Sequence, residues 1–313
     1  MGFAQRAPLA ALYNADQQRD RLLAPSFLQV GLPATTTAPF PVQLYLMAGD
    51  LERVFDRPEF RPDAAIIPTN TDLQLTAPAP ATQRVLIARV AKQPETMRDL
   101  TEQAETRRKA LAGKSGASEP LQIGIDTFVA RLSRPGQAAG TAPFPQSACF
   151  IATDFAKGGA IDRRELFAQD RVRKGIADCL SALDAAGAQS VVLPLVGAAS
   201  AGTQANDALF EGQRTLMECR LINATAGAAL GIHDFGARRR NIREVALVQW
   251  DQELSRMFKV DAGSRAEKAA QAAYRLYTDQ IKLAFRKGLA GEKTTQSDVS
   301  GSCKDILNAS PSR

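Results

Sequence analysis

Three groups of residues in this 313-residue chain have the types and spacing to do chemistry. The first follows Gln189-Ser190. The apolar, β-branched run Val191-Val192-Leu193-Pro194-Leu195-Val196 breaks into Gly197, Ala198, Ala199, Ser200, Ala201 and Gly202, which carry almost no side chain. Thr203 to Asp207 then reads as a helix start, with Asn206 or Asp207 able to cap free N–H groups. A strand, a small-residue loop and a helix N-terminus let backbone amides face an anion, and the helix dipole adds roughly half a positive charge. The alternative is a tight strand-to-helix turn in which only small residues fit. The second group is Asp50 and Leu51, just past the strand-like run Val42 to Met47. The third is Asn70, in the polar turn Pro68-Thr69-Asn70-Thr71-Asp72 that ends a strand at Ala64 to Ile67. Open α/β sheets place ligands at the carboxyl ends of strands. Each residue also has a plain structural use. Asp50 could cap a short helix at Glu52 to Phe55, Asn70 could bond its own turn, and Gly202 could fill a left-handed turn position.

Other chemistries find little support. His233 is the single histidine, which excludes multi-histidine metal sites. A Ser-His-Asp or Cys-His arrangement would rest on it alone, with no evident partner. Cys149, Cys179, Cys219 and Cys303 form no CxxC pair and read as reduced thiols of a cytoplasmic protein. No run approaches the roughly 18–20 apolar residues of a membrane span, and the first 23 residues lack the apolar core of a signal peptide. Net charge is +6, with acids interspersed among the Lys and Arg residues. Nucleic-acid binding is therefore not indicated, whereas an anionic small ligand would be served. The basic run Arg238-Arg239-Arg240 reads first as a solvated loop, with contact to a phosphate or partner as its alternative.

The elements that must position these residues read as an α/β alternation. Hydrophobic residues make up 45% and aromatics 6%, so an Ala/Leu/Val core is available and an all-β sandwich is disfavoured. Residues 1–40 read as irregular. Strands are expected at 42–47, 64–67, within 121–132, at 148–153, 191–196 and 245–250. Helices are expected over 84–111, split at Pro94, and over 162–186, about 206–229 and 266–289, with short ones at 52–55 and 252–258. Residues 291–313 are polar and read as disordered.

The order and spacing of these landmarks resemble the macro domain family, which binds ADP-ribose and related nucleotides. The residues that carry the resemblance are Val42–Met47 with Ala48-Gly49-Asp50-Leu51, then Asp63-Ala64-Ala65-Ile66-Ile67-Pro68-Thr69-Asn70, then Val191 through Gly202, and it covers about residues 42–258. It implies a three-layer α/β/α fold with a mixed, mostly parallel central sheet. An N-terminal extension (1–41), a macro-like domain (42–260), a C-terminal helix (261–290) and a disordered tail (291–313) follow from the same reading. By resemblance, Asp50 accepts from the adenine amino group and the Leu51 amide faces the ring. Asn70 bonds the distal ribose, and Gly197, Ala198, Ala199, Ser200, Ala201 and Gly202 offer amides to the phosphates.

The chain also departs from the family pattern. Ile67 stands where a first Asn is common, Ala77-Pro78-Ala79-Pro80 replaces a Gly-rich loop, and Ala199 replaces a Gly. These losses argue against standard hydrolase chemistry. The expectation is a sensor or recognition module for ADP-ribose or a related NAD-derived nucleotide, with no metal and no further cofactor. A hydrolase using Asp72 or Asp154 is the first alternative. A structural protein with a degenerate pocket is the second, working through its N-terminal extension and its C-terminal helix, which would pack on the domain or meet a protein partner.

Overall fold

The computed structural model describes residues 28–32, 42–48, 62–73, 75, 81–115, 121, 126–133, 145–154, 169–196, 210–238, 240–249, 279–295 and 298. Within them the strands are β1 (Leu28–Leu32), β2 (Val42–Ala48), β3 (Ala64–Asn70), β4 (Thr127–Arg131), β5 (Ser147–Asp154), β6 (Ser190–Pro194) and β7 (Glu244–Gln249). The helices are α1 (Ala81–Val90), α2 (Pro94–Ser115), α3 (Gln169–Ala185) and α4 (Phe210–Gly236), and residues 279–289 form a further helix, α5. The strands make one seven-stranded sheet in the order β1-β2-β7-β6-β3-β5-β4. Strands β2, β7, β6, β3 and β5 run parallel, and β1 and β4 lie antiparallel at its two ends.

Alternation along each strand divides the core between two faces. Leu44, Ile66, Cys149, Val191 and Val245 point to a cluster shared with α3, α4 and α5. Tyr45, Ala65, Ile67, Phe150, Val192 and Ala246 point to a second cluster shared with α1 and α2. The architecture is therefore three-layered, α/β/α, with a mixed and mostly parallel sheet, as the sequence leads one to expect. Close packing of α3 on α4 depends on two glycines. A Cβ at Gly227 would sit 2.7 Å from the Val172 Cβ, and one at Gly231 would sit 2.6 Å from the Arg173 carbonyl oxygen.

Several expectations need correction. Residues 28–32 are not irregular. They pair with β2 in full register, Leu28 opposite Leu46 and Leu32 opposite Val42, a long-range pairing that a five-residue run containing Gly31 does not announce. The helix expected from 84 begins at Ala81, and Pro94 opens α2, where its missing N–H costs nothing. The first residues of the supposed tail are held in place. The Gln169 amide bonds the Thr294 backbone in both directions, at 2.9 and 3.2 Å. Lys293 pairs with Asp170 at 2.7 Å, and Lys287 with Asp298 at 2.7 Å. Helix α5 packs on the domain: Ile281, Ala284 and Phe285 are buried in the core. The short helices expected at 52–55 and 252–258 lie outside the described residues.

The amino-terminal edge of the sheet is stitched by two buried carboxylates. Asp63 accepts from the amides of Gln189 (2.9 Å) and Ser190 (3.2 Å), while its own N–H donates to the Ser190 hydroxyl (3.0 Å). The Gln189 carbonyl takes the Arg243 amide (2.7 Å), and the Arg243 carbonyl takes the Gln43 amide (2.8 Å). Asp184, at the end of α3, accepts from the amides of Arg240, Asn241 and Ile242 at 2.7–2.9 Å. The starts of β3, β6, β7 and β2 are thus fixed relative to one another. On the outer strand β4, the Gln103 amide of α2 bonds both backbone groups of Arg131 (3.0 and 3.1 Å), using donors and acceptors that could otherwise recruit another strand.

Replacing Asp63 by Ala leaves the buried Gln189 and Ser190 amides without their acceptor, and should cost about 2–4 kcal/mol. A urea midpoint unchanged from the wild type would contradict this role. Tyr45 gives a pH prediction. Burial, and secondarily the Glu244 carboxylate, push its phenol up to about 12. The folded state then keeps a proton that the unfolded chain loses near its ordinary value of 10.0. Stability from this group is complete below that value and falls as pH climbs toward 12. Tyr45→Phe should flatten this alkaline slope in urea unfolding measured pH by pH.

Candidate functional site

Because β2, β7, β6, β3 and β5 are parallel and adjacent, their carboxyl ends share one edge. Register sets the levels. Met47, Val248 and Pro194 stand in one row, and β3 continues to Asn70. Asp50 and Leu51 begin two residues past the end of β2, and Gly197 comes three past the end of β6. Asp50, Leu51, Gly197, Ala198, Ala199, Ser200, Ala201 and Gly202 themselves lie outside the described residues. The strands from which they emerge lie on the same edge as Asn70. From β2 to β3 there are three strand spacings, about 14 Å at roughly 4.8 Å each.

The described centre of the edge is the turn after β3. Asn70 is 1% exposed and opposes Asp154 of β5 across a register shift between Thr69 and Asn70. The Asn70 carbonyl accepts the Leu73 amide (3.1 Å), and the Thr71 carbonyl accepts the Leu121 amide (3.1 Å). Leu73 has φ +50°, a left-handed conformation that costs a residue with a Cβ on the order of 1 kcal/mol. Its side chain is buried with Leu75, Leu86 and Leu100, and this burial holds the turn in that shape. Beside Asn70, the hydroxyls of Thr69 and Thr71 are buried and have no hydrogen-bond partner among the described residues. Thr153 reaches the Thr69 carbonyl at 3.5 Å. One residue in the left-handed region and two of the buried polar atoms without a partner therefore lie in this turn, with others of the latter kind on α1 and α2 and at Thr294. Asp72 sits half-buried in the same turn, so both carboxylate residues weighed for hydrolysis belong to this edge. Leu73 is not marked in the sequence, because no glycine stands at the left-handed position.

The remaining candidates lie elsewhere. The ring of His233 is on α4, and its Nδ1–H donates to the Leu289 carbonyl (2.9 Å), so the histidine serves as a clip for the end of α5. Arg238 and Arg240 are exposed in the connection from α4 to β7, at the amino-terminal edge, and Arg239 lies outside the described residues. Arg238 lines a surface groove of about 320 Å³ between α3 and α4. There Arg173 binds Asp234 through two contacts (2.5 and 2.8 Å), and Lys174 binds Asp178 (2.5 Å), so the groove's charges largely satisfy one another. Among the described residues, no cluster of His, Cys, Asp or Glu could hold a metal ion, and no helix is long and apolar enough to cross a membrane.

Thr71→Val removes a buried hydroxyl that has no partner, at nearly constant shape. In the absence of ligand it should raise stability by about 1 kcal/mol. A clear loss in the urea midpoint would show that the hydroxyl is bonded in the free protein.

No family model matches the chain, and no curated protein matches it. Among solved structures it is similar to the Oceanobacillus iheyensis macrodomain with ADP, at 12% identity and a TM-score of 0.44, over 83% of this chain and 98% of that one. It is similar to the macrodomain of Thermus aquaticus DarG at 16% identity and a TM-score of 0.35, over 66% of this chain and 97% of that one. A Trypanosoma brucei macrodomain in complex with ADP-ribose matches at 12% identity and a TM-score of 0.40, over 72% of this chain and 70% of that one. The fold assigned to this chain stands on its own strand order and register.

Proposed function

We propose that the chain binds ADP-ribose or a related NAD-derived nucleotide along the carboxyl edge of its sheet, as a cytoplasmic sensor or recognition module. One observation carries the reading: the exits of β2 and β6 and the strained, polar turn after β3 share an edge long enough for a dinucleotide-sized ligand. In this proposal Asp50 accepts from the adenine amino group and the Leu51 amide faces the ring. Amides of Gly197, Ala198, Ala199, Ser200, Ala201 and Gly202 take the phosphates, and Asn70 bonds the distal ribose. A protein partner of α5 would use its outer side, where Leu283 is 41% exposed. A hydrolase is the second reading, favoured by the register that sets Asp154 opposite Asn70. Release of ADP-ribose from mono-ADP-ribosylated protein well above background, and lost in Asp154→Asn, would promote it.

The test is ligand-induced thermal stabilisation. ADP-ribose at about 100 times its dissociation constant should add roughly 2.7 kcal/mol to the wild type. Asp50→Ala should lose about 1–3 kcal/mol of binding free energy, the worth of a hydrogen bond to a charged acceptor. Gly202→Val should abolish the shift, because a side chain there blocks approach of the amides to within about 3 Å of a phosphate. Ser200→Ala should keep it. An undiminished shift in Gly202→Val would remove this loop from the site, and no shift in the wild type would remove the nucleotide.

A further inference from the structure

Two of the four cysteines meet inside the protein. Cys149 lies in the middle of β5 and Cys179 in the third turn of α3. Both are fully buried, and their sulfurs are 2.6 Å apart, although the residues are 30 apart in sequence. Strand β5 and helix α3 flank a crossover connection, so a bond between them would close the loop that leaves the candidate edge at Asp154 and returns at Gln169. Around the pair are apolar side chains of the same face, among them Ile66, Ile151, Ile176, Leu180 and Leu183. No described basic group or metal cluster accompanies the two thiols, so neither has the electropositive setting of a nucleophile.

We propose that Cys149 and Cys179 are the site of an intramolecular disulfide that forms when the chain folds in the presence of an oxidant. The oxidant class is a low-molecular-weight disulfide such as oxidised glutathione. One cysteine thiolate attacks a sulfur of the glutathione disulfide, giving a mixed disulfide and one glutathione thiolate. The second cysteine thiolate then attacks the protein sulfur of that mixed disulfide, forming the Cys149–Cys179 bond and releasing a second glutathione thiolate. The two protein thiols lose two protons and two electrons, and one oxidised glutathione becomes two reduced molecules. The reaction needs a chain that is still open. In the folded protein the sulfurs are out of reach of solvent, and burial, with Cys149 next, pushes the Cys179 thiol up and away from its reactive thiolate form. In a reducing compartment the pair rests as thiols. Once formed, the bond is sheltered from reductants by the same burial.

The experiment uses the full chain, and in parallel a Cys219→Ser/Cys303→Ser variant that retains only this pair. Each is refolded from denaturant in a glutathione redox buffer, then denatured and alkylated. The expected result is an intact mass lower by two hydrogen atoms, no alkylation of Cys149 or Cys179, and a peptide map joining them. The oxidised form should melt higher by roughly 5–10 °C, since the bond restricts a 30-residue loop in the unfolded state. Folded reduced protein in the same buffer should oxidise at least tenfold more slowly. Stoichiometric alkylation of both cysteines after oxidative refolding would overturn the proposal. A disulfide joining either of them to Cys219 or Cys303, or a disulfide-bonded form that melts lower than the reduced one, would also overturn it.

Discussion

The fold depends on one constraint: the buried ends of the strands at the amino-terminal edge must find hydrogen-bond partners. Asp63 and Asp184 meet it. A carboxylate has no donor of its own and can accept from several amides at once, and here each gathers backbone N–H groups from a neighbouring chain segment. Bonds donated to charged acceptors are stronger than neutral ones, and the amides they satisfy would otherwise be buried and unpaired. A chain of backbone bonds through Gln189 and Arg243 carries the registration on to β2. With one edge fixed, the positions of the strand exits at the other edge follow from strand length and register.

The two edges of the sheet are unlike. At the amino-terminal edge, Asp63 and Asp184 bind the backbone amides of neighbouring segments. The carboxyl edge has a leucine in the left-handed region and two threonine hydroxyls without a partner among the described residues. Those features cost stability, and the apolar packing of Leu73 under α1 and α2 offsets the cost. A protein selected only for stability has little reason to retain them together at the mouth of a parallel sheet. An elongated polar ligand crossing from the exit of β2 to that of β3 gives the retention a reason.

The sequence showed the core strands plainly because they are apolar on both faces, as at Ala64–Ile67 and Val191–Leu193. Helix α3 was legible through the 3.6-residue spacing of Val172, Ile176, Cys179 and Leu183. Strand β1 was not, since Leu28–Leu32 is defined by its partner rather than by its own pattern. The seating of Lys287, Lys293 and Asp298 was also hidden. Lys287, Lys293 and Asp298 look like solvated charges until the fold brings them to each other and to Asp170. At the carboxyl edge, the polar turn that ends β3 at Asn70 was visible in the sequence. Leu73 was invisible, because a left-handed turn is ordinarily announced by glycine or asparagine, and here tertiary burial enforces it. Asp63 and Asp184 carry the registration of the sheet, yet in the sequence one is a loop residue and the other sits on a helix with nothing to mark it.

The most direct test of the central claim is a titration of ADP-ribose into isotopically labelled protein, followed by amide NMR. Binding along the carboxyl edge predicts concerted shifts at Asn70, Thr71, Thr153 and Leu195, with the amino-terminal edge at Ser190 and Ile242 nearly unmoved. Shifts confined to Arg173, Lys174 and Arg238 in the groove between α3 and α4, or no shifts at all, would contradict it.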